Sequence, residues 1–110
     1  MKIDKKEITS KVIRFSIKED DVEIARAHLC ILHNDLHEEP FGLMEDVFVD
    51  ENYRGKGYGK SIVQLVIKEA EEQGCYKLIG TSRYSREHVH KLYEDLGFIK
   101  QGIEFRIDYQ

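Results

Sequence analysis

Nine consecutive residues of the chain, YRGKGYGKS at positions 53–61, contain three glycines and three basic side chains. Glycines let the backbone take positive φ and approach a ligand closely, and basic side chains add positive charge. Successive backbone N–H groups in such a loop converge on anions, and phosphate is the usual one. The stretch therefore predicts a phosphate-binding loop, and the spacing of its glycines decides which kind.

Three loop patterns can be compared with this stretch. The nucleotide P-loop, G-x-x-x-x-G-K-S/T, finds its G-K-S tail, but its first glycine falls on Arg54. The dinucleotide fingerprint G-x-G-x-x-G fits Gly55 and Gly57 but needs a third glycine where Lys60 stands, and no Rossmann-type strand is indicated upstream. The pattern R-x-x-G-x-G is met in full by Arg54, Gly57 and Gly59. Only the third pattern fits.

Hydrophobic periodicity places the loop between a strand and a helix. Alternating apolar residues predict three strands before the loop, at 11–18, 22–32 and 43–49, the first two joined as a hairpin through an acidic turn. Helical spacing after the loop predicts an amphipathic helix over 60–73 that Gly74 ends. A helical crossover requires the next strand, 76–82, to run parallel to the third strand.

The last third of the chain repeats a helix and a strand. We expect Ser85 to cap a helix over 86–96, Gly97 to end it and Phe98 to fold back onto it. A final strand, in which Ile103, Phe105, Ile107 and Tyr109 alternate with polar residues, is expected to close the sheet. The predicted fold is one α+β domain, residues 1–110, with a mixed, twisted sheet of five to six strands and two main helices.

Composition excludes several classes of function. The 110 residues suit a single domain, and 17 basic against 21 acidic residues give a net charge of −4, which argues against nucleic-acid binding through counterion release. No apolar stretch is long enough to predict a membrane span or a signal peptide, so we expect a cytoplasmic protein. His33, His37 and Glu38 lie around Pro40 without helical spacing, and we predict no metal site.

Two separated motifs resemble one family. They are EDVFVDENYRGKGYGKSIV, residues 45–63, and HKLYEDLGF, residues 90–98. They resemble the acyl-CoA loop, R/Q-x-x-G-x-G/A, and the tyrosine-containing helix of the GNAT N-acyltransferases, and the resemblance covers about residues 12–109. Family members usually begin with a strand and two helices that help to build the acceptor pocket, whereas about ten residues precede the first strand here. We therefore expect a short member without those helices, whose acceptor pocket a homodimer would complete.

The resemblance assigns roles to individual residues. An amine acceptor such as lysine needs a base, because its ordinary pKa of about 10.4 leaves it charged at neutral pH. Glu45 and Asp46 are the candidates, and the period of a strand sends them to opposite faces, so that at most one reaches the acceptor. Glu45 matches the family's base, although pairing with a lysine or a strand-end cap explains either residue equally well. Tyr93 matches the tyrosine that donates a proton or a hydrogen bond to the leaving thiolate; without the motif it would read as a core tyrosine.

Coenzyme binding is implied for the loop, the strand before it and the start of the second helix. A backbone N–H near Val47 would stabilise the oxyanion. Many family helices carry an asparagine before the tyrosine where this chain has TSRYSRE, so contacts from the serine and arginine there would be substitutions. The implied coenzyme-binding residues are Val47, Val49, Arg54, Gly55, Lys56, Gly57, Tyr58, Gly59, Lys60, Ser85 and Arg86.

The sequence thus predicts an N-acetyltransferase that moves an acetyl group from acetyl-CoA to a primary amine by direct attack in a ternary complex, without a metal. A non-catalytic acyl-CoA sensor or interaction module is the alternative. A P-loop nucleotide binder, disfavoured by Arg54, would instead predict magnesium-dependent ATP binding. Peptide amines, polyamines, amino sugars and antibiotics all remain open as acceptors.

Overall fold

The computed structural model describes residues 1–110. In chain order the elements are β1 (Lys11–Glu19), β2 (Val22–Leu32), β3 (Phe41–Val49), a single 3₁₀ turn (Glu51–Tyr53), α1 (Tyr58–Glu72), β4 (Leu78–Gly80) and α2 (Glu87–Asp95). The chain divides into two compact units, residues 1–79 and 80–110. No helix combines the length and the apolar character that crossing a bilayer requires.

The sheet is mixed, with the strand order β1-β2-β3-β4. The pairs β1–β2 and β2–β3 are antiparallel. Beside the start of β3, Tyr76 N donates to Pro40 O and Gly42 N donates to Lys77 O, each over 2.9 Å. The residue numbers of the bonded groups increase together on the two segments, from 40 to 42 and from 76 to 77, so β4 runs parallel to β3. The helical crossover predicted this direction. β4 is shorter than the expected strand over 76–82.

The hairpin between β1 and β2 closes through only two residues, Asp20 and Asp21. Their φ angles are 50° and 64°, so both are left-handed. A two-residue loop with positive φ at both positions matches the right-handed twist of the paired strands. The expected acidic hairpin turn is confirmed.

The core of the first unit lies between one face of the sheet and α1. Ile62, Val63, Val66 and Ala70 of α1 are buried, and the helix packs on β1, β2 and β3. α1 begins two residues before the predicted start, and it ends as expected, because Gly74 at φ 76° lets Cys75 N donate to Ala70 O over 3.0 Å. The buried strand residues are Ile24, Ala25, Ala27, Leu29, Ile31 and Met44.

The second unit contains α2, none of whose residues is fully buried. Its end confirms the prediction: Gly97 has φ 106°, Phe98 N donates to Tyr93 O over 3.0 Å, and the two aromatic rings lie 5.2 Å apart. Its start corrects the prediction, because the capping position is Arg86, which makes no side-chain capping bond, and Ser85 lies one residue earlier.

The final strand is a wrong prediction. Residues 96–110 contain no strand, and the sheet has four strands rather than five to six. The four alternating apolar side chains are 65%, 89%, 76% and 91% exposed, in the order Ile103, Phe105, Ile107 and Tyr109. Alternation decides which face a strand would bury, but a strand also needs a partner for its backbone hydrogen bonds.

Candidate active site

The glycine loop connects the end of β3 to α1. Gly55 and Gly57 have φ of 78° and 85°, and no atom beyond the adjoining residues lies within 4 Å of the position that a Cβ would occupy on either. The backbone conformation, rather than crowding, therefore requires glycine here, and the space above the loop is open. Gly59 differs, because it lies in the first turn of α1 without a positive φ.

Backbone N–H groups at the start of α1 are available to a ligand. The first helical hydrogen bond runs from Ser61 N to Gly57 O over 3.0 Å. The N–H groups of Tyr58, Gly59 and Lys60 precede it and have no acceptor within the helix. They lie at the positive end of the dipole of a 15-residue helix. This geometry suits a phosphate.

The side chains of the loop fasten it to the sheet. Arg54 Nε donates to Val49 O, the carbonyl at the end of β3, over 3.1 Å. The Tyr58 hydroxyl donates to Glu19 at the end of β1, and this hydrogen bond raises the pKa of Tyr58. Lys56 Nζ lies 5.4 Å from the centre of the Tyr53 ring. The loop is therefore held at two strand ends while its glycines stay open.

A β-bulge interrupts β3 just before the loop. Phe48 is opposite Arg26, and Glu45 is opposite His28. Two residues of β3, 46–47, therefore oppose a single residue of β2. A bulge leaves one residue of the ladder unpaired and bends the strand. The backbone at Val47, where the resemblance expects the oxyanion donor, thus lies at an irregular point of the sheet.

Asp46 forms the bulge and has a φ of 50°. Arg26 Nε donates to its Oδ2 over 2.8 Å and Arg26 Nη2 to its Oδ1 over 3.1 Å. His28 Nδ1 lies 3.5 Å from the same Oδ2 but makes no hydrogen bond. Hydrogen bonding from Arg26 lowers the pKa of Asp46, against the opposing effect of burial. Asp46 is therefore a fixed anion and a weak base.

The bulge also corrects the prediction that Glu45 and Asp46 point to opposite faces. Glu45 is opposite His28, while Asp46 contacts both Arg26 and His28. Burial, and then the charge of Glu45, raises the pKa of the Cys30 thiol, which shares this face of β2. Both carboxylates thus lie on the face of Arg26, His28 and Cys30, because one inserted residue shifts the alternation.

The second unit holds the other predicted site residues. Tyr93 lies half-buried on α2 against Phe98. Burial raises the pKa of its phenol, and the nearby charge of Arg86 acts in the opposite direction. The hydroxyl is therefore protonated at neutral pH and available as a donor. Ser85 and Arg86 precede the first turn of α2.

Two residues of the site, Arg26 and His28, were not predicted from the sequence. Arg26 and His28 alternate with buried alanines on β2, which marks them as residues of the solvent face, but nothing in the sequence links Arg26 to Asp46.

His37 lies against the Tyr76 ring, with ring centres 4.0 Å apart. No group of three or more His, Cys, Asp or Glu side chains is placed to hold a metal ion.

A mixed sheet with a bulged central strand, a glycine loop and a crossover helix defines the class of protein. The model of the acetyltransferase (GNAT) family matches residues 4–98, so this chain belongs to that family, as the motifs predicted.

The relatives include proteins with two kinds of N-acetyltransferase name. Glucosamine 6-phosphate N-acetyltransferase of Trypanosoma brucei brucei is 39% identical over 67 residues, which cover 61% of this chain and 44% of that protein. N-alpha-acetyltransferase 30 of Xenopus laevis is 33% identical over 86 residues, covering 76% of this chain and 31% of that protein.

A solved relative has the same fold. The crystal structure of glucosamine-6-phosphate N-acetyltransferase from Arabidopsis thaliana matches with a TM-score of 0.81 at 25% identity, covering 90% of this chain and 67% of that chain. The chain spans less than half the length of the curated relatives described above.

Proposed function

We propose that the chain is an acetyl-CoA-dependent N-acetyltransferase that acts on a primary amine by direct attack in a ternary complex. The observation that carries this proposal is the glycine loop: two left-handed glycines under open space, followed by three free N–H groups at the start of α1. Family membership supports it.

The residues of the loop fit a coenzyme A pyrophosphate. The N–H groups of Tyr58, Gly59 and Lys60 would bind its oxygens at the positive end of α1. Lys56 and Lys60 would add charge, and Arg54 braces the loop through Val49. The backbone of Val47 and Val49 extends the site along β3. When bound, acetyl-CoA supplies the acetyl thioester; Ser85 and Arg86 are proposed as further contacts.

In the proposed reaction three groups act on the reacting atoms. Glu45 accepts a proton from the amine, directly or through water, so that the nitrogen can form the C–N bond to the acetyl carbon. The N–H of Val47 donates to the carbonyl oxygen as charge develops on it. Tyr93 donates its proton to the sulfur as the C–S bond breaks. Glu45 releases the proton of the charged amine to solvent, and the second nitrogen proton, lost as the amide forms, reaches Tyr93 through water and replaces the proton given to the sulfur.

Glu45 is the better base of the two carboxylates. Asp46 accepts two hydrogen bonds from Arg26, which lower its pKa and occupy both of its oxygens. Glu45 is exposed on the same face, and the two hydrogen bonds of Arg26 go to Asp46 and not to Glu45. A base must be free to approach the acceptor, so the proposal assigns this role to Glu45.

The acceptor we propose is an amino sugar phosphate. Support comes from the names of several relatives, glucosamine 6-phosphate N-acetyltransferases among them. A peptide α-amine is the comparison substrate, because another matched relative is named an N-alpha-acetyltransferase.

Thermal melts with acetyl-CoA, CoA and magnesium-ATP test the site first. A ligand at about 100 times its dissociation constant stabilises the fold by about 2.7 kcal/mol, which shifts the melting temperature by several degrees. Stabilisation by acetyl-CoA supports the coenzyme site, whereas stabilisation by ATP alone, or by none, rejects it. CoA release with glucosamine 6-phosphate and with a peptide then tests catalysis, and binding without release for any amine would indicate a sensor.

The role of Tyr93 is tested with Tyr93→Phe. Because the hydroxyl acts on the departing sulfur, we expect kcat to fall by about 100-fold while acetyl-CoA affinity stays nearly unchanged. Tyr84→Phe is the matched control, since Tyr84 is 80% exposed in the same unit. Equal rates for the two variants would remove Tyr93 from the reaction.

A further inference from the structure

Asp46 has a backbone conformation that needs support. Its φ of 50° lies in the left-handed region, which residues with a Cβ rarely adopt, although aspartate tolerates it better than most. It also lies inside a strand, where the neighbouring residues pull the backbone towards an extended conformation. The structure must therefore contain an interaction that favours this conformation over a regular ladder.

Arg26 supplies that interaction. Its guanidinium makes two hydrogen bonds with both Asp46 oxygens and lies 4.6 Å from the centre of the Phe48 ring. Phe48 is the residue opposite Arg26 on β3, immediately after the bulge. A planar guanidinium suits both contacts at once, since it pairs with a carboxylate through its edge and stacks through its face. Arg26 therefore contacts both the left-handed residue of the bulge and the residue that ends the bulge.

The two groups assigned to the reaction on this strand flank Asp46. Glu45 precedes it and Val47 follows it. A return of Asp46 to an extended conformation would rotate the peptide that carries the Val47 N–H and would move Glu45 to a different face. The conformation of one residue thus sets the direction of both.

We propose that Arg26 is a positioning residue of the active site: by pairing with Asp46 and stacking on Phe48, it fixes the left-handed backbone of the bulge and so aims the Val47 N–H and the Glu45 carboxylate. This inference rests on the proposed function. Arg26 acts through Asp46 and is not assigned a contact with either substrate.

A second arginine provides a matched control. Arg14 also pairs with a carboxylate through two hydrogen bonds, from Nη1 to Glu23 Oε1 over 2.6 Å and from Nη2 to Oε2 over 2.9 Å. It lies opposite His28, on the same face as Arg26. Glu23 has no positive φ, so the Arg14 pair, although it lies beside a register shift between β1 and β2, holds no left-handed residue.

The test is a double-mutant cycle with Arg26→Gln and Asp46→Gly, because glycine takes a positive φ without a partner. In the full chain, Arg26→Gln is expected to lower kcat by about tenfold or more with little change in KM for acetyl-CoA. In the Asp46→Gly background the same change is expected to alter kcat by less than about twofold. Arg14→Gln is expected to leave kcat within about twofold of the parent.

An equal loss from Arg26→Gln in both backgrounds would overturn the proposal, since Arg26 would then act without Asp46. Urea unfolding of the same four proteins gives a readout besides activity: Arg26→Gln should reduce stability more when Asp46 is present than when glycine replaces it. If the parent chain acetylates no amine, the proposed function fails, and this stability comparison alone decides whether Arg26 holds the bulge. If the parent is active but neither kcat nor stability shows coupling, only the present inference fails.

Discussion

The hairpin turn and the β3 bulge adopt the same unusual backbone conformation for different reasons. The three residues other than glycine with positive φ are all aspartates: Asp20 and Asp21 in the turn, and Asp46 in the bulge. The turn aspartates are exposed and pair with no cation, whereas Asp46 is held by Arg26. In the turn, the left-handed conformation has no side-chain partner; in the bulge, Arg26 maintains the left-handed conformation of Asp46.

The difference separates a structural feature from a candidate functional one. A two-residue hairpin loop imposes positive φ through its geometry, and asparagine or glycine would satisfy it as well. No such geometry imposes a bulge in the middle of a paired strand. A strained residue with a dedicated partner, on the strand that leads to the open glycine loop, therefore marks the candidate site, whereas the strained turn marks only the end of a hairpin.

The largest expected effect comes from removing the proposed base beside the bulge. We expect Glu45→Gln to lower kcat by about 100-fold or more, because an amide cannot accept the amine proton. Asp21→Asn makes the same chemical change in the hairpin turn and is expected to leave kcat unchanged. Steady-state kinetics of both variants at saturating acetyl-CoA provide the measurement. An unchanged kcat for Glu45→Gln would show that Glu45 is not the base.

The second expected effect concerns the left-handed glycines. Gly57 and Gly74 have φ of 85° and 76°, and in neither case does an atom beyond the adjoining residues lie within 4 Å of the position that a Cβ would occupy. Replacing either with alanine should reduce stability by about 1 kcal/mol through the backbone alone. Only Gly57→Ala is expected to weaken acetyl-CoA binding, by about tenfold, because its Cβ enters the space over the loop. Calorimetric titration of both variants tests this; equal affinities would move the coenzyme site away from Gly57.

Sequence reasoning succeeded where local patterns determine local structure. The strands, both helices, the glycine that ends each helix and the parallel crossover follow from periodicity and from residue types with fixed conformational preferences. The glycine loop was located by spacing, and family membership confirmed the motif. These features depend on residues that are neighbours in the chain.

Predictions from the sequence were wrong where the local structure depends on residues that are distant in the chain. The alternation over 103–109 predicts a strand, but no sheet edge pairs with it in the structure. The alternation over 43–49 predicts opposite faces for two carboxylates, but a bulge shifts it by one residue. Arg26 and Asp46 are 20 residues apart in the chain, and only the register of β2 against β3 brings them together.

A smaller effect is expected in the hairpin turn. Asp21→Gly should increase the free energy of unfolding by about 0.4–1 kcal/mol, since glycine adopts φ 64° without the steric cost that a Cβ brings. Greater freedom of the unfolded chain reduces this gain. Urea unfolding gives the value, with kcat as the control that should not change. A loss of stability would contradict the prediction, since the steric cost of the left-handed conformation would then be smaller than the added freedom of the unfolded chain.

The smallest expected effect concerns the Arg14–Glu23 pair, the counterpart of the Arg26–Asp46 pair. Hydrogen bonds from Arg14 and Ser16 lower the pKa of Glu23 from 4.5 to about 2. Because the folded pKa is the lower one, the pair stabilises the fold above pH 4.5 and loses this contribution as the pH falls towards 2. The melting temperature of Glu23→Gln should therefore lie slightly below that of the parent at neutral pH and converge with it in acid. Since exposed pairs contribute little, kcat at neutral pH should be unaffected. A kcat loss in Glu23→Gln as large as that in Arg26→Gln would mean that both pairs serve the site, and that the backbone strain at Asp46 is not what distinguishes them.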